Sequence, residues 1–426
     1  MTDGMTERPA ADEKTSAIVV APQAGDVRAG GDGDVRPRVM LLGSGELSRE
    51  LAIALRRLGA EVIAVDEYAY APAHRVADQS LVITMTDADE LSAAILRLHP
   101  DFVVTAAHAV SIDALDALAA GPGNELAELV PSARVVRLTA DREGLRRLAA
   151  DQLGLPTAPF WFAGSVGELE AVAAHAGYPL LVKPVAGAAG PGGSVVAGPE
   201  DIAPAWQRAA GPQAKRRVLA ETVVEIEFDI TLFAVRSEGT HGPVIEFCSP
   251  IGHRRAEADM VESWQPQKMS SAALDASKSI AARIVKALGG RGVFGVELMI
   301  NGDEVYFAGV TACPQQSAWV TLRTQRLSVF DLHARSILGL PVDTVIISPG
   351  AARTIPRARA RDGFPSADAL SGALGTPETD LLVFGRPPAG AADQLGLALA
   401  TAPDVVTARD RARQVATALN MRDSRG

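Results

Sequence analysis

Residues Val293–Pro314 read VFGVELMINGDEVYFAGVTACP, and this stretch decides the fold. Asn301-Gly302 is a pair that favours a two-residue turn between strands, so a hairpin is predicted, with Glu304 to Val310 as its returning strand. The first strand carries Glu297 among Val, Phe and Val on one side and Leu, Met and Ile on the other. A carboxylate placed among such neighbours is costly unless it is paired, hydrogen-bonded or bound to a metal. Glu297 therefore reads as a functional acid.

Working outward, the chain has 426 residues, enough for two or three domains with real cores, and its 47% hydrophobic and 22% charged content is that of an ordinary soluble protein. A net charge of −10 argues against a general nucleic-acid binder, although local clusters of Arg and Lys can still hold anionic ligands. Cys248 and Cys313 lie far apart and in no metal-ligand spacing, which predicts reduced thiols in a cytoplasmic protein. No signal-peptide pattern opens the sequence, and the apolar patch Ala17 to Pro22 is too short to span a membrane.

Residues 1–36 are rich in Gly, Asp, Ala and Pro and are predicted to be a disordered tail. A parallel, Rossmann-like α/β domain follows over 37–137: VMLL, the loop GSGE, a helix with Leu47, Leu51, Leu55 and Leu58 on one face, and EVIAVD, then a second cycle whose helix is opened by Asp87. A central α+β domain is expected over 138–340. Its elements are a helix capped near Thr139, a helix from Val166 to His175, the strand PLLVKPV, a glycine-rich loop Gly187 to Gly193, the strands VLAETVV and EIEFDITLFAV, and a long helix Ala272 to Leu288. A small C-terminal domain, 341–420, closes with a helix Val405 to Leu419.

Several positions carry chemistry. In the strand-to-helix loop Gly43 to Leu47, backbone amides and the helix N-terminus are placed where they could face a ligand. Glu46 there would repel pyrophosphate but accept hydrogen bonds from an amine or hydroxyl; serving the helix dipole is an equally good reading. Asp66 ends a strand at the edge where open α/β sheets bind ligands. Lys183, followed by GAAGPGG, fits triphosphate oxygens or is simply a lysine at a strand edge. Glu221 to Val224, read as lying between two strands, offers backbone groups to an adenine edge, and Asp229 a carboxylate to ribose hydroxyls, unless Glu225, Glu227 and Asp229 form a solvated face.

Taken together, the order of these elements resembles the ATP-grasp superfamily over roughly residues 37–420. The strings VMLLGSGEL, EVIAVD, REGLRRLAA, LPTAPF, LVKPV, GHRR, ESWQPQ, GVFGVEL and LGLALATA are similar to the formate-dependent phosphoribosylglycinamide formyltransferases, with ESWQPQ (Glu262 to Gln267) the most specific. The resemblance implies ATP and Mg²⁺ as cofactors, formate and glycinamide ribonucleotide as substrates, a place in purine biosynthesis, and a homodimer. By matching motif, Arg142 and Lys183 would contact ATP phosphates. The loop with Ala188, Gly190, Gly192 and Gly193 would cover them, Glu221 and Val224 would frame adenine, and Asp229, a Glu in the family, would hold ribose. Glu297 would bind Mg²⁺, and Glu46, Leu47 and Arg386 would contact the acceptor.

The chain also departs from that pattern. Gly309 stands where the family has a second Mg²⁺ ligand, twelve positions beyond Glu297, and Pro191 replaces the lysine of the glycine loop. Ala106 and His108 replace two acids, Gln316 an acceptor-binding Asp, and Asp393-Gln394 an Arg pair that grips the ribonucleotide phosphate. Three readings stay open: the family's formyltransferase, a carboxylate–amine ligase with another acceptor, and a catalytically silent ATP-binding protein.

Overall fold

The computed structural model describes residues 19–20, 36–106, 109–120, 127–185, 193–210, 217–239, 241–255, 261–356, 364–384 and 394–423. Its first sheet is the predicted parallel one. Gln79–Val82, Glu61–Asp66, Arg38–Leu42, Phe102–Thr105 and Glu128–Val130 lie side by side in that order. Val39 to Leu42 and Val62 to Val65 are almost wholly buried, as parallel strands covered on both faces require. Helices Glu46–Arg57 and Ala88–Leu98 make two of the crossovers, and Asp87 caps the second by accepting the N–H groups of Asp89 and Glu90. Within the predicted tail, Val19–Val20 forms a short strand paired antiparallel with Leu81 and Ser80; the rest of 1–35 lies outside the described residues.

The second sheet has four antiparallel strands in the order Phe160–Ala163, Val218–Thr222, Leu180–Pro184 and Ser194–Val196. Helices Val166–Ala176 and Ile202–Ala210 cover it through Leu169, Ala173, Ile202 and Ala205. The third sheet runs Glu304–Thr311, Gly292–Asn301, Phe228–Gly239, Ile251–Arg255, Val261–Gln265, Gly350–Pro356, Gln394–Thr401 and Thr379–Val383, with Gly242–Phe247 paired to Phe228–Gly239. Strands of the predicted C-terminal domain thus extend the central sheet. Helix Ser271–Leu288 buries Ile280, Ile284, Val285 and Leu288 against the same cluster as Phe294, Val296 and Leu298.

Three local expectations shift. The predicted cap at Thr139 moves: helix Ala133–Ala140 ends there, Thr139 Oγ1 donates back to Val135 O, and Asp141 caps the next helix, Arg142–Arg147, by accepting Glu143 N–H. A carboxylate outside the helix meets the free N–H better than a hydroxyl already bonded inside it. The hairpin turn falls on Gly302-Asp303, because Asn301 still pairs with Glu304; Gly302 takes the positive φ of 58° that the first turn position needs. Glu221 lies inside its strand rather than between strands, paired with Phe160 and Leu181.

Glu262, the first residue of the most specific string, ties the last helix to the sheet. Its side chain is 1% exposed and meets Arg254 at 2.7 Å, Arg409 at 3.2 Å, Arg413 at 3.8 Å and Arg353 at 3.9 Å. Burial pushes its carboxyl up, but bonds from Arg409 and Arg254 more than offset this and hold it below the ordinary range. Glu262→Ala is expected to cost about 2 kcal/mol in urea unfolding, below the range for a fully buried pair because solvent reaches the arginines. An unchanged midpoint would refute the clamp. Among the described residues no helix is long and apolar enough to cross a membrane.

Candidate functional site

Strand register builds the floor of the site. Asp229 stands opposite His253 on one side and Met299 on the other, while Thr231 stands opposite Glu297, and Glu297 opposite Gly309. Residues in direct register, and residues two apart on one strand, share a face. His253, Asp229, Thr231, Glu297 and Gly309 therefore line one surface of the central sheet. Beyond Gly309 a polar string continues: Gln315 Nε2 donates to Thr231 Oγ1 at 3.1 Å, Ser317 Oγ lies 2.9 Å from the same hydroxyl, and Thr311 Oγ1 is 3.4 Å from Gln315 Oε1.

The four-stranded sheet supplies Lys183, and the helix Arg142–Arg147 supplies Arg142 and Arg146. Lys183 Nζ lies 2.6 Å from Glu221 Oε2, while the other Glu221 oxygen is ion-paired with Arg146. Glu221 and Arg146 are each 6% exposed, so the Glu221 side chain holds Lys183 and is withheld from a ligand. Among the described residues, the backbone of 223–226 is bonded at Val223 N–H, to Pro179 O, before Glu227 N–H meets Ile300 O. Arg142 sits at the stem of the glycine loop, its Nη1 donating to Pro184 O at 2.6 Å and its backbone N–H to Val185 O at 3.1 Å. Burial lowers the Arg142 guanidinium from its usual range against the pull of Glu221 and Glu297.

These interactions bring Arg142, Lys183, Glu221, Asp229 and Glu297 into one neighbourhood. Burial raises the Asp229 carboxyl, while His253 and then Lys183 lower it, so the lysine from one sheet acts on the floor of the other. Gly193 is exposed at the foot of the loop; Ala188, Gly190, Pro191 and Gly192 lie outside the described residues.

Glu46 and Asp66 lie at the carboxyl ends of the parallel strands. Asp66 Oδ2 accepts Ser44 N–H at 2.6 Å and its Oδ1 accepts Glu67 N–H at 2.8 Å, so this carboxylate shapes the loop that presents Glu46. Burial raises the Glu46 carboxyl, with a smaller push from Asp66. Burial also lifts Tyr68 to about 12, helped by Asp66 and Glu46, and lowers His74. Leu47 packs on the core beneath. Ala106 brings only a backbone N–H, donated to Leu42 O, and Gln316 turns its Oε1 to the buried Trp319 indole at 2.8 Å. His108, Arg386 and Asp393 lie outside the described residues; Gln394 opens a strand opposite Pro356.

Among the described residues no group of three or more His, Cys, Asp or Glu side chains can hold a metal ion. A Cβ added at Gly309 would lie 3.6 Å from Glu297 Oε2, so an acid there would face Glu297 directly. One carboxylate fits Mg²⁺ only where nucleotide phosphates and water supply its other oxygens.

Arg146 and His253 were not singled out from sequence. Arg146 follows Arg142 by four residues on one helix, a spacing that places both on one face, and this was the available signal. His253 had no comparable one, because its opposite number, Asp229, is set by long-range register.

A four-stranded antiparallel sheet bearing Lys183, beside a larger sheet that bears Asp229 and Glu297, is the ATP-grasp arrangement, and the ATP-grasp domain model matches residues 148–330. The model for "PurT, C-terminal" matches residues 366–419. A formate-dependent phosphoribosylglycinamide formyltransferase of Corynebacterium glutamicum is 48% identical over 388 residues, covering 90% of this chain and 94% of that protein. One from Mycolicibacterium gilvum is 47% identical over 389 residues, 90% and 96% of the two chains. The structure of glycinamide-RNase-transformylase T from Mycobacterium tuberculosis is 67% identical, with a TM-score of 0.77, covering 90% of this chain and all of that one. The chain belongs to the formate-dependent phosphoribosylglycinamide formyltransferase family.

Proposed function

We propose that the protein formylates the amine of glycinamide ribonucleotide, using formate and ATP, as the names of its relatives state for them. The observation that supports this is the convergence of Lys183 and Arg142 from one side with Asp229 and Glu297 from the other. A formate oxygen attacks the γ-phosphorus of ATP, breaking the bond to ADP; the acceptor nitrogen then attacks the formyl carbon, expels phosphate and loses a proton. In this scheme Lys183 and Arg142 neutralise the phosphates, with Lys183 held in place by Glu221. The backbone near Val224 meets adenine, Asp229 meets ribose, and Glu46 accepts from the amine. Mg²⁺ bound by Glu297 and the phosphates would supply further charge neutralisation. The same reading makes the protein a cytoplasmic homodimer, which sedimentation measures.

The test is ADP release with Mg-ATP, formate and glycinamide ribonucleotide, with product mass as the second readout. Release that depends on both substrates and yields the N-formyl product supports the assignment; none at millimolar substrate removes it. Gln316, turned onto Trp319, favours one second reading, a carboxylate–amine ligase with another acceptor. ADP release with formate and an amine other than glycinamide ribonucleotide would select it.

Gly309→Glu restores the missing acid opposite Glu297. Mg²⁺ affinity in the nucleotide complex is expected to rise about tenfold, about 1.4 kcal/mol, in a magnesium titration. An unchanged midpoint would show that position 309 does not face the metal.

A further inference from the structure

We propose that His253 reads the nucleotide ribose beside Asp229 and sets the preference for a 2′-hydroxyl, an inference resting on the nucleotide site proposed above. The two residues stand directly opposite on adjacent antiparallel strands, sharing the face that carries Thr231 and Glu297. Across the other strand Asp229 meets Met299, and on its far side His253 meets Ser263, so the imidazole is the one charged or titratable neighbour that the adjoining strands place opposite Asp229. Among the described residues, His253 Nε2 is closed off from solvent and has no hydrogen-bond partner. Leaving such an atom unbonded is costly, and a polar group brought in by a ligand removes the cost.

Ribose chemistry matches what this pair offers. Each hydroxyl both donates and accepts, whereas an ionised carboxylate only accepts. Asp229 therefore answers the O–H groups and leaves their lone pairs unanswered. An imidazole N–H at Nε2 supplies the donor. Asp229 is also one methylene shorter than the Glu that the family resemblance leads one to expect, so the ring beside it takes up part of the contact. Lys183, from the four-stranded sheet, acts on the same carboxylate.

The test is calorimetric titration of the full-length chain with ADP and with 2′-deoxy-ADP, without formate or acceptor, on the native protein, His253→Ala and His253→Gln. The native chain is expected to prefer ADP. His253→Ala should weaken ADP about tenfold and 2′-deoxy-ADP by less than about twofold, the loss of roughly one hydrogen bond, so that discrimination collapses. His253→Gln, which keeps an amide donor, should recover part of it; this variant also carries the test if the alanine variant does not fold. Equal losses for the two nucleotides would make His253 a structural residue and overturn the proposal, as would no loss. Because binding is read without turnover, a chain that discriminates the nucleotides but forms no formyl product sinks only the proposed reaction.

Discussion

Arg146→Ala is expected to lower the unfolding free energy by about 3–5 kcal/mol, the range for removing one partner of a buried ion pair. The guanidinium pairs with Glu221, donates to Phe307 O at 2.9 Å and to Ala308 O at 3.3 Å, and lies over the Phe160 ring. Its loss leaves a buried carboxylate with Lys183 alone and two carbonyls with one donor fewer. The two carbonyls immediately precede Gly309, so the same residue holds the strand that faces Glu297 and the carboxylate that holds Lys183. Arg146→Lys should recover only part of the stability, because a point charge cannot replace a planar fork reaching three acceptors. Urea unfolding measures both, and a cost below about 1 kcal/mol for the alanine variant would remove Arg146 as the link between the two sheets.

Stability is expected to fall by about 3 kcal/mol between pH 6.5 and pH 4 through His333 alone. The ring is wholly buried, its Nδ1 accepts Val293 N–H at 3.0 Å, and burial pushes its pKa down from 6.5 to about 4. The sign follows from linkage. The unfolded chain takes up the proton as pH falls through 6.5, while the folded chain resists until about 4, so the unfolded state gains across that window. At neutral pH the term is absent. His333→Asn keeps an acceptor for Val293 N–H without titrating, and its urea midpoint should vary less with pH than the native one over the same window. Parallel pH profiles for the two proteins would contradict the assignment.

Much of the fold was legible because it is local. The apolar runs at Val39 to Leu42 and Val62 to Val65, the cap at Asp87 and the alternation around Glu297 each follow from neighbours within one element. The site was legible only in its inventory. Glu221 meets Lys183 38 residues earlier and Arg146 75 residues earlier, so nothing near Glu221 signals that its carboxylate is already engaged. The same distance problem hid the pairing of Val261–Gln265 with Gly350–Pro356, which fuses the C-terminal strands to the central sheet. The one-residue shift of the hairpin turn has a different origin: Asn301 and Glu304 remain in register, and glycine takes the left-handed position.

The strand at Val19–Val20 bears on solubility as well as on fold. Gln79–Val82 is otherwise the outermost of the parallel strands, and these two residues cover its free side. A chain beginning after them would carry an uncovered row of N–H and C=O groups, a template on which a second molecule can add a strand. Removing Val19–Val20 therefore exposes the edge at Ser80 and Leu81.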